Sequence, residues 1–213
     1  MRGFLVTFEG VEGSGKSTQV ARLDGSLRAA SVPVTAVREP GGTRLGEAVR
    51  EILLSVESHD LSAWAEANLY TAARAQLLKE VILPRMARGD VVIADRYVES
   101  TFAYQGAGRG LEMQVLMAMQ MVLKVRPDLT FVLDLPADVG LGRQQAAGKR
   151  PDRLEQEDIA FHTRVRDAYL DYARREPDRI HVVDARQAPD AVAAEVLGVT
   201  MKRAMAHGVK RTA

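Results

Sequence analysis

The chain has 213 residues, which is enough to bury the core of one globular domain, and we expect a single domain over residues 1–213. Its charge is nearly balanced, with 29 Lys and Arg against 28 Asp and Glu, and aromatic residues make up 5% of it. Such a composition excludes the broad positive field that holds a polyanion or a membrane surface, and it argues against a nucleic-acid site built on stacked aromatic rings. We therefore expect neither nucleic acid nor a membrane as a partner.

The sequence contains no cysteine and no long apolar run. The lack of cysteine excludes disulfides, a thiolate nucleophile and cysteine-based metal sites. The apolar stretch Phe4–Phe8 is too short for a signal peptide, and no later run approaches the roughly 20 apolar residues that cross a bilayer. We expect a cytoplasmic protein.

Short β-branched runs alternate with longer helical patterns along the chain. This alternation is typical of an α/β fold in which helices cover both faces of a parallel sheet. Several of the short runs are almost entirely apolar, as expected for strands that are buried on both faces. The sequence predicts strands at Phe4–Phe8, Val32–Val37, Val91–Ala94, Leu129–Leu133 and Ile180–Val183.

Helical periodicity fills the segments between these strands. The clearest helix is predicted over Ser62–Arg88, where Pro84 should bend it or end it early. Another is predicted over Leu154–Arg175. The last begins after Pro189-Asp190 and continues into a basic tail at Lys202–Arg211, which we expect to be solvated.

The residues after the first predicted strand form a phosphate-binding pattern. Residues Gly10–Ser17, with the sequence GVEGSGKS, match Gly-x4-Gly-Lys-Ser between a strand and a helical pattern. The glycines let backbone N–H groups turn toward phosphates, Lys16 supplies a movable charge, and Ser17 offers a hydroxyl to magnesium. A plain glycine-rich turn is the alternative, but its position after the first strand favours a nucleotide-binding P-loop.

A P-loop alone does not separate kinases from GTPases, pumps and partitioning ATPases. Guanine-specific switches carry an Asn-Lys-x-Asp stretch, and the single asparagine here, Asn68, lies inside the predicted long helix. The strand Val91–Ala94 delivers Asp95 and Arg96 to the sheet edge where doubly wound folds bind ligands. Asp95 can position magnesium, and the planar fork of Arg96 can grip a second phosphate; a surface ion pair is the alternative.

The sequence resembles thymidylate kinases over essentially its whole length. The matching stretches are Glu9-Gly10 before the P-loop, Arg38–Thr43, Ala72–Arg74, Asp95–Tyr97, Ser100-Thr101, Ala103–Gly106, Arg109-Gly110, Pro127–Thr130, Asp152–Glu157 and Val183–Ala185.

The resemblance implies the P-loop nucleoside monophosphate kinase fold, with a five-stranded parallel sheet in the order 2-3-1-4-5, helices on both faces and a mobile lid at about residues 141–153. It implies phosphorylation of dTMP to dTDP with ATP and Mg²⁺, in dTTP synthesis, by a homodimer. The Met-rich run Leu111–Leu123 could serve a dimer interface or the core. The competing functions are a kinase for another deoxynucleotide or nucleoside, and a nucleotide-dependent switch protein.

The resemblance also assigns the acceptor site. Tyr70 and Arg74 lie four residues apart and so share one helix face. The resemblance implies that the ring lies against thymine and the guanidinium at its edge. Tyr104 would crowd the 2′ position of a ribose, and Glu12 would meet the 3′-hydroxyl or an arginine beside it. Alternatives are a core role for Tyr70, a solvent-facing Glu12 and a surface Arg50. The implied dTMP-binding residues are Glu12, Arg38, Pro40, Arg50, Tyr70, Arg74, Arg96, Ser100, Thr101, Tyr104 and Gln105.

The variable P-loop positions Val11–Ser14 carry no arginine, so the positive charge at the transferred phosphoryl group must come from elsewhere. Gly140–Arg153 is poor in apolar residues, which predicts a mobile loop, and bacterial members of the family use lid arginines in this role. A solvated basic loop is the alternative. The expected catalytic residues are Lys16, Asp95, Arg96, Arg153 and, after it, Arg150. The expected ATP-binding residues are Gly10, Glu12, Gly13, Ser14, Gly15, Lys16, Ser17, Thr18, Arg143 and Arg153, with Ser17 and Asp95 as metal ligands.

Overall fold

The computed structural model describes residues 3–121, 123–148 and 150–210. In these ranges the chain forms a five-stranded sheet whose strands lie in the order β2-β3-β1-β4-β5, and every neighbouring pair is parallel. The strands are β1 (Phe4–Glu9), β2 (Val34–Arg38), β3 (Val91–Asp95), β4 (Leu129–Asp134) and β5 (Ile180–Asp184). The predicted strand order is confirmed.

Helices surround this sheet. They are α1 (Lys16–Ala29), α2 (Arg44–Leu54), α3 (Ala63–Leu77), α4 (Leu83–Ala87), α5 (Val98–Thr101), α6 (Met113–Met121), α7 (Ala137–Ala146), α8 (Ile159–Arg175) and α9 (Pro189–His207), with a 3₁₀ turn at Val56–Ser58 and π-helical segments at Leu78–Ile82 and Phe102–Gly108. None of the helices formed by the described residues combines the length and the apolarity needed to cross a bilayer.

The alternation of side chains along β1 divides the core between the two faces of the sheet. Phe4, Val6 and Phe8 join one buried cluster, together with apolar residues of α1, α8 and α9. Leu5 points the other way and joins the cluster formed by the end of α3, the π-helical segment after it and α4. Because successive strand residues face opposite sides, an almost wholly apolar strand is buried on both.

The long predicted helix is interrupted where the sequence suggested. Ser62 caps α3, since its hydroxyl accepts a hydrogen bond from the Ala65 N–H, and the helix passes into a π-helical segment, Leu78–Ile82, just before Pro84. Proline lacks an N–H group and clashes with the carbonyl one turn earlier. The extra residue of the π segment absorbs that mismatch, so the chain stays helical instead of ending.

Every strand runs one residue past its predicted end and finishes on a charged side chain: Glu9, Arg38, Asp95, Asp134 and Asp184. The apolar pattern stops where burial on both faces stops, whereas the backbone ladder continues to the polar edge. At its other end, β2 begins at Val34, two residues later than predicted. The strand ends therefore bring acidic and basic side chains together along the carboxyl edge of the sheet.

The prediction of a loop over Gly140–Arg153 is wrong for its first half. Residues up to Ala146 continue helix α7, in which Arg143, Gln144 and Gln145 are good helix formers. A Cβ on Gly13 would lie 2.1 Å from the Gly140 carbonyl oxygen, so two glycines let the P-loop and α7 touch through their backbones.

Helix α8 also begins later than predicted, at Ile159 instead of Leu154. Its cap is Asp158, whose carboxylate accepts a hydrogen bond from the Phe161 N–H over 2.6 Å. Helix α9 begins at Pro189, slightly earlier than predicted, and ends at His207; Arg211, at the end of the predicted tail, lies outside the described residues.

Candidate active site

A cavity of about 450 Å³ opens between the P-loop, the ends of β2 and β3, and the segment that follows α7. Most of the residues predicted for the site line it together. They are Glu12, Gly13, Gly15, Lys16, Ser17, Thr18, Arg38, Pro40, Arg50, Tyr70, Asp95, Arg96, Ser100, Thr101, Tyr104, Gln105 and Arg143. The predicted residues outside the wall are Gly10, Ser14, Arg74, Arg150 and Arg153.

The P-loop connects β1 to α1 with backbone geometry that suits an anion. Gly15 adopts a left-handed conformation with φ of 92° at the start of α1, and among the described residues no side chain caps this helix end. The first N–H groups of a helix have no partner within it, and the helix dipole adds partial positive charge there. The first N–H groups of α1 therefore face the cavity, where they can donate hydrogen bonds to phosphate oxygens.

Lys16 is folded back onto the loop in this structure. Its Nζ donates hydrogen bonds to the carbonyl oxygens of Gly10 and Val11, at 3.0 and 2.8 Å, and to the Ser14 hydroxyl at 3.3 Å. Burial lowers the pKa of Lys16 to about 8. The ammonium is thus held against the P-loop, where a bound anion would favour its charged form.

Ser17 and Asp95 form the pair predicted to hold a cation. The Ser17 hydroxyl donates to Asp95 Oδ2 over 2.6 Å, which joins the first turn of α1 to the end of β3. A hydroxyl and a carboxylate fit Mg²⁺, which prefers oxygen ligands and takes the rest of its shell from water and substrate phosphates. No group of three or more His, Cys, Asp or Glu side chains arranged for a metal occurs among the described residues.

Arg96 follows β3 in a left-handed backbone conformation, with φ of 71°. Such a conformation is unusual for a residue with a side chain and costs of order 1–3 kcal/mol. It turns the guanidinium toward the P-loop, where NH1 donates to the Gly10 carbonyl at 3.2 Å and NH2 to Glu12 Oε1 at 3.0 Å. The guanidinium also lies 4.9 Å from the centre of the Tyr104 ring. The alternative of a surface ion pair is wrong, because Arg96 is partly buried in the cavity wall.

Glu12 is buried, which excludes the alternative of a solvent-facing loop acid. Besides Arg96, its Oε1 accepts the Tyr104 hydroxyl, while its Oε2 lies 3.2 Å from His162 Nδ1. Burial on its own raises the pKa of Glu12, but His162 and the charges of Arg96 and Lys16 bring it well below its usual range. Glu12 is therefore an ionised carboxylate that offsets the charge of Arg96 inside the cavity.

Behind Arg96 lies a second buried carboxylate, Glu9, at the end of β1. Its oxygens accept hydrogen bonds from the Tyr97 N–H at 2.8 Å, the Ser100 hydroxyl at 2.6 Å and the Tyr169 hydroxyl at 3.0 Å. Burial, followed by the nearby charge of Glu99, raises the pKa of Glu9 to about 7. Ser100 and Tyr169 also touch Arg96, so Glu9 braces that arginine through them.

The predicted acceptor residues form one side of the cavity, except for Arg74. That arginine is 1% exposed, and its guanidinium donates to Glu39 Oε2 at 2.7 Å, Thr101 Oγ1 at 3.0 Å and Gln120 Oε1 at 2.8 Å. Because Thr101 itself lines the cavity, Arg74 lies directly behind the wall. Tyr70 lines the cavity and also packs against the core.

The three predicted arginines of the lid region have different surroundings. Arg143 lines the cavity and donates to the Ala185 carbonyl at 3.2 Å. Arg150 is exposed. Arg153 is 8% exposed and is held by Glu66 Oε2 at 2.6 Å and by the Leu53 carbonyl at 3.0 Å. Sequence spacing does not distinguish an arginine that faces solvent from one that is bound in an ion pair.

Sequence reasoning missed part of the wall. The additional lining residues are Glu39, Leu54, Gln144, Ala147, Asp152, Leu154 and Glu155. Glu39, Asp152 and Glu155 stand inside stretches that match the family, so the resemblance contained a signal for them. His162 gave no signal, because one histidine on the apolar face of a helix is indistinguishable from a core residue.

Comparisons with known proteins agree with this geometry. The family model described as thymidylate kinase matches residues 8–196. The thymidylate kinase of Deinococcus radiodurans is 47% identical over 205 residues, which cover 95% of this chain and 98% of that protein. That of Pseudomonas syringae is 51% identical over 189 residues, covering 88% and 90%. The crystal structure of thymidylate kinase from Ehrlichia chaffeensis superposes with a TM-score of 0.76 at 31% identity, covering 93% of this chain and 99% of that one. The chain belongs to the thymidylate kinase family.

Proposed function

We propose that the protein transfers the terminal phosphoryl group of ATP to dTMP and forms dTDP. The observation that carries this proposal is that one cavity is lined both by the P-loop residues Lys16 and Ser17 and by the acceptor residues Tyr70 and Gln105. Arg96 lies between these two sets and is bonded to the loop itself. A phosphate donor and a pyrimidine nucleotide bound in this cavity would point their phosphates toward Lys16 and Arg96.

Catalysis would rest on alignment and on positive charge, because phosphoryl transfer requires little covalent help from the protein. Lys16 and the open end of α1 would bind the donor phosphates, and Arg96 would bind the acceptor phosphate. Glu12 keeps Arg96 oriented through Oε1, beside the place where the acceptor would bind. Arg96 is already aimed at the P-loop, whereas Lys16 would exchange its hydrogen bonds to the loop carbonyls for bonds to phosphate oxygens.

Mg²⁺ would be held by Ser17 and Asp95 together with phosphate oxygens of ATP. A bound magnesium ion neutralises phosphate charge and fixes the geometry of the donor.

Arg143 and Arg150 are better placed than Arg153 to supply a further positive charge. Arg143 already lines the cavity, and Arg150 is exposed. Arg153 would first have to leave Glu66, and separating a buried ion pair without a replacement costs several kcal/mol. We assign Arg143 to ATP binding and Arg150 to the transferred group, with Arg153 as a structural residue at the base of the lid.

A homodimer is part of the proposal. In α6, Leu116 is buried, whereas Val115, Met117 and Met121 are exposed, and Met121 is 74% exposed. The Met-rich helix therefore serves the core on one side and presents an apolar surface on the other, which a second copy of the chain can cover.

We place the protein in the cytoplasm, where its substrates ATP and dTMP are available.

An acceptor panel tests the activity. ADP and dTDP formation is measured with dTMP, dUMP, dCMP, dGMP, UMP and thymidine as acceptors in magnesium buffer. The proposal predicts the highest kcat/KM with dTMP. A higher value for another monophosphate or for thymidine favours the alternative kinase, and ATP hydrolysis that no acceptor stimulates favours a switch protein.

A further inference from the structure

Glu66 is a carboxylate that the proposed reaction does not use. It lies on α3, one turn before Tyr70, and its side chain is 0% exposed. Three side chains from the other side of the cavity wall converge on it. Oε1 accepts from Gln105 Nε2 at 2.8 Å, Oε2 accepts from Arg153 at 2.6 Å, and Arg109 reaches both oxygens at 3.3 Å.

We propose that Glu66 is a positioning residue that fixes the side-chain amide of Gln105 and thereby makes the site select thymine or uracil over cytosine. The inference rests on the proposed function: Gln105, which is assigned to dTMP binding, would contact the acceptor base. Gln105 lines the cavity and is 1% exposed, so its amide has little freedom apart from a rotation that exchanges oxygen and nitrogen.

Glu66 and the two arginines that pair with it, Arg109 and Arg153, remove that remaining freedom. A carboxylate paired with two arginines only accepts hydrogen bonds, so Gln105 can meet Glu66 only through its amide nitrogen. The amide oxygen is then the atom left for a ligand. An oxygen at the base edge accepts a hydrogen bond, and thymine and uracil carry a donor N–H at N3 where cytosine carries a lone pair. Two acceptors facing each other in a buried site are strongly disfavoured.

The cluster is held independently of any ligand. Arg109 also pairs with Glu157 at 2.5 Å, and its guanidinium lies 5.0 Å from the centre of the Phe161 ring. Arg153 is bound to the Leu53 carbonyl as well as to Glu66. Glu66 is therefore fixed from three directions before a nucleotide arrives, which is the condition for preorganised selectivity.

Substitution of Glu66→Gln tests the proposal. An amide at position 66 can donate as well as accept, so Gln105 becomes free to turn its own nitrogen toward the base. We expect the ratio of kcat/KM for dTMP to that for dCMP to fall by about 10-fold. The ratio for dTMP to dUMP should stay within about twofold, because uracil presents the same N3–H group.

Arg109→Gln is the matched control, since it loosens the cluster and leaves the carboxylate on Gln105. This variant should lose stability and keep the dTMP to dCMP ratio of the wild type. Gln105→Leu removes the amide that would contact the base. If Glu66 acts through Gln105, adding Glu66→Gln to this variant should not change the dTMP to dCMP ratio any further. Should Glu66→Gln fail to fold, Glu66→Gln/Arg109→Gln carries the test, because it leaves fewer unpaired buried charges.

The outcomes separate the two levels of the proposal. A folded Glu66→Gln variant with the wild-type ratio, alongside a lowered ratio in Gln105→Leu, overturns the role of Glu66 and leaves the base contact standing. An unchanged ratio in Gln105→Leu overturns the contact between Gln105 and the base, and the inference with it. A general loss of activity toward all three nucleotides in Glu66→Gln, with their ratios intact, also contradicts a positioning role.

Discussion

Ser17 and Asp95 are 78 positions apart in sequence, yet the Ser17 hydroxyl donates a hydrogen bond to Asp95 Oδ2 over 2.6 Å. The contact exists because β3 pairs with β1 in a register that sets Asp95 beside Phe8. Phe8 is the second-last residue of β1, the strand that leads into the P-loop. Sheet register therefore determines the position of the only carboxylate predicted as a metal ligand.

The magnesium requirement should depend on Asp95. Asp95→Asn keeps the size of the side chain and removes its charge, so we expect the Mg²⁺ concentration for half-maximal activity to rise by about 10-fold. Titration of activity with Mg²⁺ at saturating ATP and dTMP measures this. Ser17→Ala should shift the same titration in the same direction, and a Mg²⁺ response unchanged in both variants contradicts the assignment.

Tyr104 should exclude ribonucleotides by its ring and not by its hydroxyl. The hydroxyl is occupied by Glu12, so Tyr104→Phe should keep the preference for dUMP over UMP. Tyr104→Ala removes the ring and should raise the relative kcat/KM for UMP by roughly 10-fold, since steric exclusion is lost. Circular dichroism checks the fold of both variants. Equal preferences in the two would place the discrimination elsewhere.

The raised pKa of Glu9 has a defined effect on stability. Its pKa is about 7 in the folded protein and near 4.5 ordinarily, so the folded state holds an extra proton between these values. The resulting stabilisation is fully present below pH 4.5 and is lost as the pH rises through 7. Glu9→Gln stays neutral throughout. Between pH 4.5 and 8, the unfolding free energy of the wild type should fall relative to this variant by on the order of 3 kcal/mol.

Urea denaturation of both proteins at several pH values measures that difference, in which the contributions of titrating groups that do not interact with Glu9 cancel. A difference that is constant with pH would mean that Glu9 titrates near its ordinary value.

Loss of the Arg143 side chain should reduce activity, whereas loss of the Arg153 side chain should reduce stability. Arg143→Ala removes an exposed side chain at the cavity and should reduce kcat/KM for ATP by about 10-fold with little change in stability. Arg153→Ala breaks a buried ion pair and should lower the unfolding free energy by about 2 kcal/mol or more. A large loss of turnover in Arg153→Ala at wild-type stability would instead support the sequence-based assignment of Arg153 to the transferred group.

Local patterns predicted the five strands and the P-loop, whereas the strand order came from the family resemblance. The apolar runs give strands such as Phe4–Glu9, and the P-loop binds phosphate through its own backbone, so neither depends on distant residues. The surroundings of Arg74 and Arg153 could not be predicted in this way. Each is held by a carboxylate, Glu39 or Glu66, that lies far away in sequence, and only the packing of α3 against its neighbours creates those pairs.

The segment after β4 shows a different limit. A composition poor in apolar residues predicted a loop, but α7 needs little apolar surface because it packs on the P-loop through Gly140. Backbone contact between two glycines leaves no hydrophobic pattern in the sequence.

Phosphoryl transfer from ATP to dTMP is tested most directly by measuring dTDP formation by the wild type and by Lys16→Met, with nucleotides separated by chromatography. Lys16 contacts the loop and not the apolar core, so the variant should fold and bind dTMP while its turnover falls by about 100-fold or more. Formation of dTDP at similar rates by both proteins, or by neither, would contradict the account.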